Sequence, residues 1–362
     1  MKKQIQSLEN YTPPIALEQL KEKFGIDKLA LLSANENPYG SSPKVKDAIL
    51  HWQFEQSNRY PDGNASQLRA AVADKFSLDP KQLVFTAGLD EMILMFSRVF
   101  LEPGDEVLLT EPTFSEYALQ AQIEGAKVVS IPCRTDNGAY DFPAFLKNIN
   151  EKTKLIWICN PNNPTGSFET LADLTAFIKQ VPKNILILID EAYIDYVTKE
   201  AVASAIGLLS QFENLAVLRT FSKAYGLANF RVGYAAMSLQ NAAYMQAVRL
   251  PYNLSSLSQL AALAAFKDQD FVAETVRKNQ QERINWEHFL RGCQISFYAS
   301  QANFIFFQYP QADKLAQTLL LAGFQIRQGL QKGWLRVTIG TRSDNQAIQN
   351  IIKKELAVNQ PR

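Results

Sequence analysis

The chain has 362 residues, too many for one average core and enough for two domains, or one large and one small. It is 47% hydrophobic and 20% charged, ordinary for a soluble globular enzyme, and 37 basic against 36 acidic residues leave a formal net charge of +1. That balance asks for neither a nucleic-acid nor an anionic-membrane partner, and no run of about 18 apolar residues marks a membrane span.

The N-terminus, Met1-Lys2-Lys3-Gln4-Ile5, leads into polar sequence without the apolar core of a signal peptide. Residues 1 to about 30 read as an arm, with Tyr11-Thr12-Pro13-Pro14 extended before the prolines and a short helix from Ile15 to Phe24. Asn35-Glu36-Asn37-Pro38-Tyr39-Gly40 is a turn-rich loop. Ser66 to Phe76 has Leu68, Ala71, Val72 and Lys75 at helical spacing. Leu83 to Thr86 is a short strand, followed by Ala87-Gly88 and a helical run through Phe100. Strands at Glu106 to Leu109, Lys127 to Ile131 and Leu155 to Cys159 alternate with helices at Phe114 to Glu124 and Leu171 to Lys179. Ile185 to Ile189 is continuously apolar, which suits a parallel strand covered on both faces. Leu215 to Leu218 and Val232 to Met237 are further strands. The alternation predicts an α/β fold with a mostly parallel sheet, whose ligand crevice lies outside the carboxyl ends of the strands.

After Pro251 the texture changes. Long helices are expected at Gln259 to Phe266 and Asp270 to Leu290, and another at Ala312 to Leu321. Short strands are expected at Ser296 to Tyr298, Phe304 to Phe307, Gln325 to Arg327 and Leu335 to Ile339. The expected division is an arm with a small-domain contribution over 1–35, a large α/β domain over 36–255 and a smaller α+β domain over 256–362. Cys133, Cys159 and Cys293 form no close pair and no metal-ligand spacing, so no metal is expected and the thiols fit a reducing, cytoplasmic location.

The chemistry concentrates just past the strand ends, at Gly88, Asn163, Asp190 and Lys223. Lys223 follows an apolar run and Thr220-Phe221-Ser222, with Arg231 close behind. Upstream lie Asn160-Pro161-Asn162-Asn163-Pro164-Thr165-Gly166 and Asp190-Glu191-Ala192-Tyr193. Asp190 follows Asn163 by 27 residues, and Lys223 follows by 33 more. Pyridoxal 5'-phosphate (PLP) makes four demands that this series meets. It needs an amine that can form an imine (Lys223), an acid beside the pyridine nitrogen (Asp190), donors to the ring O3′ (the Asn163 amide, with Tyr193 close enough in a turn to reach the same ligand) and a phosphate cradle. Hydroxyls of Thr220 and Ser222, the forked guanidinium of Arg231 and the strand-to-helix junction at Gly88-Leu89-Asp90 supply the cradle. Phe114 is a candidate platform for one ring face. Read singly, Lys223 is a surface lysine, Asp190 a helix cap and Phe114 a core ring; the order of the motifs favours the cofactor.

These motifs resemble the fold type I, aspartate-aminotransferase-like PLP enzymes, and more closely the histidinol-phosphate aminotransferases. The carriers include Ser33-Ala34-Asn35-Glu36-Asn37-Pro38, Arg59-Tyr60-Pro61-Asp62, Asn162 to Gly166, Asp190 to Tyr193, Phe221 to Leu227, Arg231 to Tyr234, Pro251-Tyr252-Asn253 and Leu335 to Thr341. The resemblance implies that Lys223 carries the cofactor and then moves protons as acid and base. It implies phosphate contacts from the Leu89 and Asp90 backbone, Thr220, Ser222 and Arg231, and from Tyr60 reaching in from the second subunit of a homodimer with shared sites. Arg336 matches the arginine that takes the carboxylate of glutamate, Arg327 the one associated with substrate phosphate, and Tyr11 and Asn35 residues that close over the substrate. The implied reaction is transamination between L-histidinol phosphate and 2-oxoglutarate. Alternatives on the same residues are a broad aromatic-amino-acid transaminase and a phosphothreonine decarboxylase; of another class is a non-enzymatic PLP-binding scaffold. Departures are the flanks of Tyr11, Gln328 after Arg327, and Ala228-Asn229-Phe230 after the lysine loop.

Overall fold

Seven strands build the larger half in a computed structural model that describes residues 3–7, 17–26, 28–201 and 203–359. In chain order the strands among these residues are β1 (Ala30–Leu32), β2 (Leu83–Thr86), β3 (Glu106–Glu111), β4 (Lys127–Pro132), β5 (Thr153–Cys159), β6 (Leu186–Asp190), β7 (Leu215–Thr220), β8 (Gly233–Met237), β9 (Phe304–Gln308), β10 (Phe324–Ile326) and β11 (Trp334–Thr338). The large sheet has the order β2-β8-β7-β6-β5-β3-β4. Strands β3 to β7 pair in parallel, and β8 runs antiparallel between β7 and β2. The expected mostly parallel sheet is therefore present.

Alternation along the strands feeds two cores. In β6, Ile187 and Ile189 join one hydrophobic cluster while Leu186 and Leu188 join the other; in β7, Leu215 and Val217 part from Ala216 and Leu218 in the same way. Successive side chains of a strand point to opposite faces, so a sheet covered on both sides needs continuous apolar runs. A third core gathers the smaller half around Trp286, Leu290, Ile305, Phe307, Leu335 and Ile348. The chain's beginning enters it as well: β1 pairs in parallel with β10, and Leu32 is buried there.

Two expectations change. The division at 255/256 falls too early. The helix Ser256–Lys267 packs against the helices Pro43–Leu50 and Ser66–Phe76, and its Ala261, Ala262, Ala265 and Phe266 lie in the larger half's core. The change of core occurs along the next helix, Gln269–Gly292, whose Val272 belongs to the larger half and whose Trp286 and Leu290 belong to the smaller. Ser296 to Tyr298 is not a strand. It makes an isolated bridge, Phe297 to Phe307, before Gln301 N–H turns away to Gly166 O at 2.8 Å.

Candidate active site

A cavity of about 700 Å³ opens where the parallel strands end. Leu89 and Asp90 come from the junction after β2, Phe114 from beyond β3, Asn163 from beyond β5, Asp190 from the end of β6, and Ser222 and Lys223 from beyond β7. Arg231 joins them because β8 runs antiparallel and begins where its neighbours stop. The opposite wall belongs to the smaller half: Ser33 to Glu36 after β1, Arg327 after β10, and Arg336 in β11.

Lys223 is central. Its ammonium donates to Ala34 O at 2.8 Å and lies 5.9 Å from the Tyr193 ring centroid. The side chain is partly buried, within a cavity walled by protein. Loss of hydration is the main cause that pulls its pKa down to about 8, and the Arg336 charge adds to it. An amine so poised gives up its proton far more readily than a surface lysine.

Asp190 forms the floor. It is 3% exposed; Oδ2 accepts from Tyr117 Oη at 2.7 Å and Oδ1 from Ala192 N–H at 2.9 Å. Burial pushes its pKa up to about 6, against the pull of those two donors. Among the described residues no cation is in salt-bridge contact with it, so a buried carboxylate faces the cavity awaiting positive charge. The neighbouring Glu191 is fully buried and instead binds Ser204 Oγ at 2.7 Å and Arg219 at 3.3 Å, which separates its role from that of Asp190.

At one end of the cavity, donors converge. The helix Leu89–Phe100 starts at Gly88, which has φ 80° and no side chain to cap the first amides. A Cβ there would overlap the Arg231 guanidinium, so only glycine lets the arginine lie across the junction. Arg231 reaches Asp90 at 3.0 Å, and Thr220 Oγ1 accepts from Ser222 N–H at 3.1 Å. Uncapped amides, hydroxyls and a guanidinium make an anion site.

At the other end Arg336 is 6% exposed. It donates to Asn163 Oδ1 and to Ser33 O (2.5 Å), while its Nε has no partner among the described residues. Burial lowers its pKa to about 10, with Arg327 adding to the effect. No carboxylate is in contact with it among the described residues. Asn163 has its oxygen committed to Arg336, so its amide's donor end is what remains for a ligand. Tyr193 Oη accepts from Asn35 Nδ2 at 3.0 Å, and its ring stands edge-on to Phe304 at 5.0 Å.

The structure thus brings together Leu89, Asp90, Phe114, Asn163, Asp190, Tyr193, Thr220, Ser222, Lys223, Arg231, Arg327, Arg336 and Asn35 around one cavity. Asn35 is 1% exposed, and its amide is spent on Tyr193 and Thr338, which makes it a support for the tyrosine. Tyr60 does not join the cavity of its own chain; it is 81% exposed and stacked on Tyr252 at 4.6 Å. Tyr11 lies outside the described residues. Sequence reasoning missed Tyr117, whose hydroxyl holds Asp190 and whose ring stacks on Trp157 at 4.4 Å. Nothing in its local sequence distinguishes it from a core ring.

The aminotransferase class I and II family pattern matches residues 27–354. The histidinol-phosphate aminotransferase of Lactiplantibacillus plantarum is 51% identical over 354 residues, covering 98% of this chain and 99% of that one. That of Limosilactobacillus fermentum is 49% identical, with 97% and 98% covered. Among solved structures, the histidinol-phosphate aminotransferase from Sinorhizobium meliloti, in complex with pyridoxal-5'-phosphate, has the same fold, with a TM-score of 0.89 at 24% identity over 99% of this chain and 98% of that one.

Proposed function

We infer, for a chain that belongs to the class I and II aminotransferases and within them to the histidinol-phosphate aminotransferases, that its cavity is a PLP-dependent transamination site. The reaction exchanges an amino group between L-histidinol phosphate and 2-oxoglutarate, giving imidazole-acetol phosphate and L-glutamate, a step of histidine biosynthesis. One observation carries this most directly: a buried carboxylate, Asp190, and a buried guanidinium, Arg336, line the cavity that holds the Lys223 amine, each without an ion partner among the described residues. Leaving buried charges unpaired is costly, so a ligand that supplies a cation to one and an anion to the other fits the site.

The residues present fit PLP. Its bound form supplies an electron sink for the bonds at the substrate's amine-bearing carbon. Asp190 would hold the protonated ring nitrogen, and Tyr117 and Ala192 N–H keep that carboxylate oriented. Tyr193 and Asn163 would donate to O3′, and Phe114 would cover one ring face. Leu89, Asp90, Thr220, Ser222 and Arg231 would hold the phosphate. Lys223 would anchor the cofactor through its amine and then carry a proton between neighbouring carbons, for which a lowered pKa is suited.

Arg336 would take the glutamate carboxylate, and Arg327, exposed at the rim, the phosphate of histidinol phosphate. A hydrogen bond to a charged group is worth about 1.5–3 kcal/mol. Arg327→Ala should therefore cut kcat/KM for histidinol phosphate by roughly 10- to 150-fold and spare phenylalanine. Arg336→Ala should damage the glutamate half-reaction, because histidinol phosphate has no α-carboxylate. Single-turnover absorbance scores the two half-reactions separately. Equal losses for phosphorylated and unphosphorylated amines in Arg327→Ala would make the aromatic transaminase the better reading.

The class is homodimeric. We assign Tyr60 to the phosphate site of the second subunit, which is supported by its exposure and by its absence from its own chain's cavity. Tyr60→Phe should weaken PLP binding in a protein that sediments as a dimer. A fully active monomer at micromolar concentration refutes the shared site.

A further inference from the structure

We propose that Asn253 and Glu91 are positioning residues for the phosphate cradle, pinning the strand-to-helix junction at Ala87-Gly88 from outside the cavity. The inference rests on the assignment of that cradle to the PLP phosphate. Neither residue lines the cavity.

Glu91 is the third residue of the helix Leu89–Phe100. A glutamate at that position ordinarily folds back onto its own cap residue. Here it reaches one residue further, and its Oε2 accepts from Ala87 N–H at 2.5 Å. Asn253 holds it there: Nδ2 donates to both carboxylate oxygens at 3.2 Å and to Phe85 O at 3.1 Å. Asn253 is fixed in turn, since its Oδ1 accepts from Arg249 Nη1 at 2.8 Å while Arg249 Nη2 donates to Gly63 O at 2.8 Å. Glu91 has no salt-bridge partner among the described residues, so Ala87 N–H and this amide are what hold it.

The consequence falls on Gly88. With Ala87 N–H tied to Glu91, Gly88 N–H closes on Thr86 O at 2.8 Å and Thr86 Oγ1 donates to Gly88 O at 2.7 Å. Both polar groups of the cap residue are committed, and the amides of Leu89 and Asp90 remain for an anion. A released Glu91 would bring its negative charge to the helix N-terminus, where it would compete with phosphate for the same dipole and donors. Asn253 therefore acts twice, by fixing the junction and by holding a rival anion away.

The test compares PLP with pyridoxal, which lacks the phosphate, in binding to apo-protein followed by fluorescence. Asn253→Ala should raise the dissociation constant for PLP about 10-fold, as for one lost hydrogen bond to a charged group, and leave that for pyridoxal within about twofold. Asn253→Asp, which sets two carboxylates against each other, should lose more. Adding Glu91→Gln to Asn253→Asp restores one donor and one acceptor between the two side chains and should recover most of the PLP affinity. Equal losses for PLP and pyridoxal, no loss at all, or no recovery in the double variant would overturn the proposal. The parent protein separates the two levels: if it fails to bind PLP more tightly than pyridoxal, the phosphate assignment itself is wrong.

Discussion

Lys223→Ala should abolish transamination while leaving a folded protein that still takes up PLP. The donors for phosphate and ring lie on other residues, from Leu89 to Arg231, and none depends on the lysine for its place. Among the described residues the side chain's only hydrogen bond is a donation to Ala34 O, so the packed cores lose nothing. What disappears is both the anchoring amine and the proton carrier. General acid–base catalysis alone is worth about 10²–10⁴-fold, and kcat should fall by about 10⁴-fold or more. Borohydride treatment of the parent should fix the cofactor on the peptide that contains Lys223; label on another lysine refutes the assignment. Proton uptake gives a second readout. Burial holds the apo-protein's amine near a pKa of about 8. The rate of PLP capture should therefore climb about tenfold per pH unit below that value and level off above it, because only the neutral amine attacks. A rate still climbing beyond pH 9 would show that the lysine has an ordinary surface environment.

The second large effect is expected at Asp190. Asp190→Asn removes the charge that stabilises the protonated ring, and kcat should fall roughly 10²–10³-fold, as when one preorganised partner is removed. Stability should move the other way. The folded-state pKa is raised, to about 6 from 3.8, so between those values the native protein binds more protons than the unfolded chain. This group's contribution to stability thus declines as pH rises through that window, and above pH 6 the apo-protein carries the whole cost of a buried charge. The asparagine is neutral and similar in shape, and can still accept from Ala192 N–H and bond to Tyr117 Oη. The apo variant should melt at or above the parent's temperature at pH 7 to 8. A large drop in melting temperature would instead identify Asp190 as a structural anchor.

The parts legible in the sequence are those with local causes. The helices Ser66–Phe76 and Ala312–Leu321 and the strand β2 have the expected bounds, since apolar spacing and flanking turn residues define each of them. Asn163, Asp190 and Lys223 were legible because each lies at or just past the end of a buried strand. The helix Pro43–Leu50 was missed although Ser42, which accepts from Lys44 N–H, and Pro43 form a standard start signal. Leu239–Val248 was missed for a different reason: it presents no continuous apolar stripe, and only Ala242 and Met245 are buried. The pairings that support the site were not legible, although Asn35 and Asn253 stand in motifs that carry the resemblance. Tyr117 meets Asp190 across 73 residues, Asn35 meets Tyr193 across 158, and Asn253 meets Glu91 across 162. Such pairs exist only once the sheet has assembled, and no periodicity or cap encodes them.

The helix Gln269–Gly292 has 24 residues, a rod of about 36 Å at 1.5 Å per residue. Its first turns are seated in one core and its last turns in another. The two halves are therefore thermodynamic partners. Melting the smaller one would strip Trp286 and Leu290 of their packing and fray the rod that also buttresses the larger, so the two halves are expected to melt together. The same rod constrains how the cleft can breathe. It cannot lengthen, so a closure of the smaller half that brings Arg327 and Arg336 toward Lys223 would swing the far end about its seated first turns, as a lever moves about a fulcrum.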